Sequence, residues 1–349
     1  MQRLFTPANE DKKAFLELLS ISRKIVITTH QNPDGDAMGS SLGLAGVFLQ
    51  LGHQVTIITP TDYPKFLKWL PYQEFVINYE GNPGAAEEAW KEADLICCLD
   101  FSVAERVKGL QTWVEACKKP ILLIDHHEMP TIEAAFVYWN QKAAATCQLV
   151  YEMIKELSWL DYLEEKAAQC LYVGLLTDTG SFRFPSTTPS VHEVAAGLLS
   201  KGANPAETHR RLFDGQSFDR LKFLGYALGE KLIHLPDYRV AYFVFSEEEL
   251  RKFNSQSGDT EGIVNYGLTI QGVVMSVIFV EKEGMIKMSF RSVDGFSVSN
   301  FAREHFQGGG HHNAAGGRSN VSLVETVQLF LSVLPRYKEE LLAQPLLHS

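Results

Sequence analysis

The stretch that most constrains the fold runs from residue 24 to residue 40. Residues 24–29 (KIVITT) are β-branched and mostly apolar, the pattern of a strand covered on both faces. Pro33 and Gly35 then impose a turn, and residues 37–51 are small, apolar and helix-compatible. A buried strand that feeds directly into a helix is one unit of an open α/β sheet. It leaves His30, Asp34 and Asp36 at the carboxyl end of the strand, where such sheets bind ligands.

The same alternation continues downstream. Residues 55–59 (VTIIT), 94–100 (DLICCLD) and 120–125 (PILLID) read as further strands. Helical patterns at 63–70, 85–91 and 103–118 separate them, which predicts a mostly parallel, doubly wound sheet. Asn9 is placed to cap an opening helix whose Phe15, Leu18 and Leu19 share one face. Amphipathic helices follow at 149–159 and 164–177, the second running into Asp178, and another at 189–201 is closed by Gly202. Residues 205–235 are helical and charged, without strands, and read as part of a connector. Beyond it, residues 238–245 form a strand, Ser246 opens a helix as a capping box with Glu249, and residues 272–280 and 285–292 form a hairpin around Glu281–Gly284. A glycine-rich loop at 308–317 and a final helix capped at Ser322 complete the pattern. The expectation is an α/β catalytic domain over residues 1–200 and a helical connector over 201–236. A smaller α/β domain over 237–349 would follow, with a cleft between the two domains.

A length of 349 residues exceeds a comfortable single core, in keeping with two domains. Thirty-two basic against forty-two acidic residues give a net charge of −10, which disfavours wrapping long nucleic acid by counterion release but leaves room for a short phosphorylated substrate. The five cysteines include no C-x-x-C and suit reduced thiols. The N-terminus lacks an apolar h-region and no run approaches a membrane span, so a soluble cytoplasmic protein is expected.

Two carboxylates one residue apart repel. At ~4 Å and an effective dielectric of ~20 the cost is about 4 kcal/mol. A divalent cation removes it and accepts imidazole as a third ligand, although Asp34 and Asp36 also suit ordinary turn and helix-cap roles. Asp100 and Asp125-His126-His127 end two other strands on the same sheet edge, and Asp178 is a further acid at a helix end. Carboxylate and imidazole without cysteine suit Mn²⁺ or Mg²⁺, while spacing alone leaves Zn²⁺ and Fe²⁺ open. The set exceeds what one ion needs, so two ions sharing an aspartate fit better, an arrangement that activates water in phosphoryl transfer. A metal-free hydrolase with His126 or His127 as base leaves four converging aspartates unexplained.

The runs HQNPDGDAMGSS, DHH at Asp125–His127, DTGSFRF from Asp178 and GGGHHNAAGG from Gly308 resemble the DHH/DHHA1 phosphoesterase superfamily. The resemblance spans nearly the whole chain with its motifs in order, and is strongest to the bacterial oligoribonuclease (nanoRNase) and pAp phosphatase group. It implies one Mn²⁺ on His30, Asp34 and Asp100, and a second on Asp36, Asp100, His126 and Asp178, with Mg²⁺ or Co²⁺ as substitutes. His127 would face the scissile phosphate, and Asp125 would orient a histidine. Arg291, Gly308, Gly309, Gly310 and His311 would grip substrate, which agrees with glycine amides and an arginine as anion ligands. Gln307 stands where many members carry another glycine. The implied substrates are short oligoribonucleotides, linear dinucleotides such as pApA, and 3′-phosphoadenosine 5′-phosphate (pAp). A cyclic-dinucleotide phosphodiesterase is the nearest alternative, pyrophosphatase or exopolyphosphatase is more distant, and a nucleotide-binding module without turnover is a different class. A homodimer is compatible with the sequence but not required by it.

Overall fold

The computed structural model describes residues 10–345 apart from Met129, Gln216, Ser257 and Asp294; Asn9, expected as a cap, lies outside the described residues. The chain divides into two compact units, Met1–Gly215 and Gln216–Ser349, so the division falls inside the stretch expected to connect the domains.

The first unit opens with α1 (Glu10–Leu18) and β1 (Lys24–Thr28), followed by α2 (Gly35–Gln50) and β2 (Gln54–Thr59). Then come β3 (Val76–Asn78), α3 (Pro83–Glu92), β4 (Leu95–Leu99), α4 (Gln111–Glu115), β5 (Ile121–Asp125) and β6 (Phe136–Trp139). Helices α5 (Thr146–Glu156), α6 (Glu165–Asp178), α7 (Pro189–Ser200) and α8 (Pro205–His209) complete it. The six strands lie in the order β3-β2-β1-β4-β5-β6 and every pairing is parallel. Alternate residues sort onto two faces. Ile25, Ile27, Cys97 and Leu122 pack with residues of α2, α5 and α6, while Val26, Ile96, Cys98 and Leu123 pack with Trp90 of α3 and Val114 of α4. That is the doubly wound arrangement, with the strand order reversing at the β1/β4 pair where ligands sit.

Helix α2 is buried from Gly35 to Phe48, and each fully buried Leu or Phe there contributes roughly 1.5–3 kcal/mol. Its glycines set how near α6 comes: a Cβ on Gly39 would stand 2.6 Å from the Cys170 carbonyl oxygen, and one on Gly174 would stand 2.9 Å from Asp36 Cα. Only hydrogen at these positions allows the contact.

In the second unit α9 (Phe218–Tyr226) precedes a mixed six-stranded sheet. Its strands are β7 (Leu232–Leu235), β8 (Val240–Phe245), β9 (Met275–Lys282), β10 (Met285–Ser292), β11 (Gly309–His311) and β12 (Ala314–Ser319), in the order β11-β12-β10-β9-β8-β7. Short helices α10 (Glu247–Lys252) and α11 (Ile263–Gly267) pack on one face with Phe243 and Phe245. Helices α12 (Val298–His305) and α13 (Leu323–Val333) pack on the other with Tyr242 and Phe290. Both capping boxes form, at Ser246/Glu249 and Ser322/Glu325. The β9–β10 hairpin turns through Glu283 and Gly284, at φ of 55° and 75°, as a two-residue turn requires.

Four expectations need correction. Residues 205–235 are not strand-free, because β7 pairs with β8. The 63–70 segment forms only a short 3₁₀ turn at Lys65–Leu67, and the 103–118 helix breaks at Lys108, whose φ is 42°. Strands β3 and β6 went unread because three or four residues carry too little periodicity. The glycine-rich segment is a strand pair, not a loop: Gly309 pairs with Gly316 and His311 with Ala314. A Cβ at Gly308 would lie 2.0 Å from the Gly316 carbonyl oxygen, so the glycines there permit close backbone approach. Gln307 sits at φ 46°, a left-handed position that favours glycine.

Candidate metal centre

Three strand ends and one helix end converge in the first unit. His30 and Asp34 follow β1, Asp36 begins α2, Asp100 follows β4, His126 and His127 follow β5, and Asp178 closes α6. His30 Nε2 lies 3.3 Å from Asp100 Oδ2 and 3.7 Å from Asp34 Oδ2. On the other side of the same carboxylate, His126 Nε2 lies 3.5 Å from Asp100 Oδ1, 3.5 Å from Asp178 Oδ2 and 3.8 Å from Asp36 Oδ2. Asp100 therefore presents one oxygen to each cluster. Its φ is 65°, a conformation costing on the order of 1 kcal/mol or more in a residue without glycine's freedom, and such strain collects at functional sites.

The surroundings orient each donor. His30 Nδ1 donates to the Gln31 carbonyl at 2.8 Å, and its buried Nε2 has no hydrogen-bond partner. His126 Nδ1 donates to the Ala143 carbonyl at 3.2 Å. Backbone acceptors at Nδ1 leave Nε2 as the lone-pair nitrogen, the tautomer of a metal ligand. Asp34 does both of its possible jobs: Oδ1 accepts the Asp36 and Ala37 amides as the α2 cap, and Oδ2 faces His30. Asp36 accepts the amides of Thr146 and Cys147 at the N-terminus of α5, where the helix dipole favours negative charge. Thr146 Oγ1 donates to Asp100 Oδ1 at 2.9 Å.

Charge crowding is visible in the acids and bases alike. Burial, with the Asp100 charge adding to it, pushes the Asp36 carboxyl up to about 7. Burial and the neighbouring Asp36 and Asp34 charges push Asp178 well above the carboxylate range. Asp100 goes the other way: burial opposes ionisation, but contacts with His126 and His30 hold it well below that range. Burial alone would lower the His30 pKa, yet Asp100 and Asp34 raise it to about 10. A buried Nε2 that makes no hydrogen bond yet faces two carboxylates fits a divalent cation that takes the place of its proton. His30, Asp34 and Asp100 form one group able to hold an ion, Asp36, His126 and Asp178 a second, and Asp100, His126 and His127 an overlapping third.

Asp125 stands outside the first two groups. It is fully buried and its Oδ1 accepts His127 Nδ1–H at 2.8 Å, with Asp100 Oδ1 3.6 Å from the same nitrogen. The four cysteines Cys97, Cys98, Cys147 and Cys170 are buried, and burial pushes their thiols up, so they serve as packing. In the second unit, register places Arg291 and His311 opposite the same residue, Ala314, so the two side chains issue from one face of the sheet. Gly309 and Gly310 lie in β11 beside them, with Gly308 preceding it. His312 contacts the Gly295 carbonyl at the surface and, among the described residues, joins none of the ligand groups. Thr146, the Cys147 amide and the Ala143 carbonyl were missed in the sequence. A hydroxyl residue directly ahead of the amphipathic 149–159 pattern was the available signal.

Residues 24–175 match the DHH family, N-terminal domain, and residues 237–340 match the DHHA1 domain. The bifunctional oligoribonuclease and PAP phosphatase NrnA of Thermus thermophilus is 34% identical over 325 residues, 93% of this chain and 92% of that protein. The cyclic-di-AMP phosphodiesterase GdpP of Geobacillus thermodenitrificans is 27% identical over 93% of this chain but only 49% of its own length. The crystal structure of an exopolyphosphatase-related protein from Bacteroides fragilis superposes with a TM-score of 0.92 at 35% identity, covering 95% of this chain and 97% of that one.

Proposed function

The chain belongs to the DHH family and carries a DHHA1 domain, and from that premise we propose that it is a metal-dependent phosphoesterase of short oligoribonucleotides, linear dinucleotides and pAp. The observation that carries the proposal is the division of six side chains into two ligand groups that meet at opposite oxygens of Asp100. The 34% identity to a bifunctional oligoribonuclease and PAP phosphatase supports the substrate class.

In this proposal His30, Asp34 and Asp100 hold one Mn²⁺, and Asp36, Asp100, His126 and Asp178 hold another. The bound ions supply an activated water and charge stabilisation for the leaving oxygen. The chain's own groups do the rest. Asp125 keeps the His127 proton on Nδ1, which makes Nε2 the atom that exchanges a proton with the reacting phosphate. Thr146 Oγ1 and the α5 amides fix the rotamers of Asp100 and Asp36. Arg291, His311 and the Gly308–Gly310 amides bind substrate phosphate in the second unit. A cytoplasmic location belongs to the proposal and is supported by five unpaired cysteines.

The test is a substrate panel after chelation and reloading with Mn²⁺, Mg²⁺ or Co²⁺. Turnover of pAp and pApA should return with Mn²⁺, and kcat/KM should fall on an RNA of roughly 24 nucleotides, because a chain of net charge −10 offers little attraction to a long polyanion. Cyclic di-AMP and polyphosphate belong in the panel, since relatives bear those names. Hydrolysis of cyclic di-AMP with none of pAp would replace this proposal with the phosphodiesterase alternative.

A further inference from the structure

Arg106 lies beside the bridging aspartate, and none of the chemistry above uses it. It sits in the 3₁₀ segment Ala104–Leu110, which is pinned to the core by Ala104 and Val107. Its own carbonyl accepts the Gln31 amide at 2.7 Å, so the segment is tied to the loop that carries His30. The half-buried guanidinium reaches the main-chain carbonyl of Asp100, with Nη1 at 3.5 Å, long for a hydrogen bond. Among the described residues no carboxylate pairs with it, although Asp34, Asp36, Asp100, Asp125 and Asp178 crowd the same sheet edge.

A contrast within the chain shows what a structural arginine looks like. Arg239 is 9% exposed and donates to five carbonyls, those of Gly272, Leu341, Leu342, Gln344 and Pro345. Arg106 has the same five N–H donors and, among the described residues, spends one, weakly. An unspent guanidinium held at the rim of an acidic cluster is suited to an anion that arrives later. The charge balance asks for one. Two dications would carry four positive charges against five carboxylates, so an incoming phosphate still meets no net positive charge without a further cation.

We propose that Arg106 is a substrate-contacting residue of the first unit, binding a non-bridging oxygen of the phosphate presented at Asp100. The inference rests on the phosphoesterase proposal and adds a cation to it. Arg106→Gln keeps a polar chain of moderate length and removes the charge; Arg106→Lys keeps the charge and loses the planar fork. The experiment measures four quantities for wild type and both variants: manganese per chain, thermal midpoint, the dissociation constant of inorganic phosphate for the manganese-loaded chain by calorimetry, and kcat/KM for pAp. The Gln variant should weaken phosphate binding and lower kcat/KM by roughly ten- to a hundredfold, the worth of a charge-assisted hydrogen bond, with metal content and midpoint unchanged. The Lys variant should recover part of both losses.

Phosphate affinity within twofold of wild type in the Gln variant overturns the proposal, as does loss of bound manganese. Should the Gln variant fail to fold, Arg106→Met, which keeps an unbranched stem without the charge, decides, and phosphate affinity within twofold of wild type there overturns it equally. Phosphate binding is read without turnover. A wild-type chain that hydrolyses no nucleotide but binds phosphate through Arg106 would therefore sink the substrate proposal and leave the anion site standing.

Discussion

Metal affinity should climb steeply with pH, and the site's own acid–base balance sets the slope. In the metal-free chain His30 holds its proton up to about pH 10, and Asp36 up to about 7. His126 is also raised: burial opposes its protonated form, but Asp100, Asp178 and Asp36 outweigh it. A metal needs the bare nitrogen, so each ion must displace an imidazole proton. At pH 7 removing the His30 proton costs about 4 kcal/mol, from a pKa three units higher. At least one displaced proton per ion makes the apparent affinity of each group rise about tenfold or more per pH unit, about a hundredfold or more from pH 6 to pH 8, and more steeply for the group in which Asp36 also gives up a proton. Stability of the metal-free chain should move oppositely. The raised His30 contributes stability that is full below about 6.5 and fades as pH climbs through about 10. The raised Asp36 contributes stability that fades between about 3.8 and about 7. Free Mn²⁺ can be counted by its paramagnetic resonance signal across this pH range. Proton release can be read by calorimetry in buffers of different protonation enthalpy. An affinity constant within threefold from pH 6 to pH 8, or binding without proton release, would mean that the ions do not displace imidazole protons.

Gly174→Ala places a Cβ 2.2 Å from Cys147 Sγ and 2.9 Å from Asp36 Cα, so it should cost about 1–3 kcal/mol in urea unfolding and weaken metal binding. Adding Cys147→Ala should recover only part, and full stability in the single variant would contradict the helix contact. Asp125→Asn should lower kcat about ten- to a hundredfold with metal content intact, because Asp125 orients His127 without belonging to the first two ligand groups; loss of bound metal would make it a ligand. Arg291→Ala should raise KM for pApA about tenfold with kcat and metal content little changed, and an unaltered KM would remove it from the phosphate site.

Much of this was legible because the chemistry lies at strand ends. A β-branched run fixes where its strand stops, and a parallel sheet brings His30, Asp100 and Asp125 to one edge however far apart they lie in sequence. The capping boxes at Ser246 and Ser322 were readable for the same local reason. What escaped depended on tertiary partners. Strand β11 is three residues whose pairing rests on absent side chains at Gly308 and Gly310, and sequence reads glycine as turn. The left-handed backbone of Asp100 and the unspent guanidinium of Arg106 leave no mark on local pattern. Asp34 shows why two competing sequence expectations need not exclude each other, since one oxygen caps α2 while the other faces His30.

Asp100→Asn tests whether Asp100 joins two metal sites, with little disturbance of the fold. Asparagine tolerates the left-handed conformation that Asp100 adopts at φ 65°, so the backbone can stay as it is. The measurement is manganese bound per folded chain, taken with kcat for pAp on the same samples. Wild type should saturate at two ions, and the variant should hold fewer while losing roughly 10³-fold or more in kcat. A wild type that saturates at one ion, or a variant that keeps two ions and stays within tenfold in kcat, would contradict the shared-aspartate account.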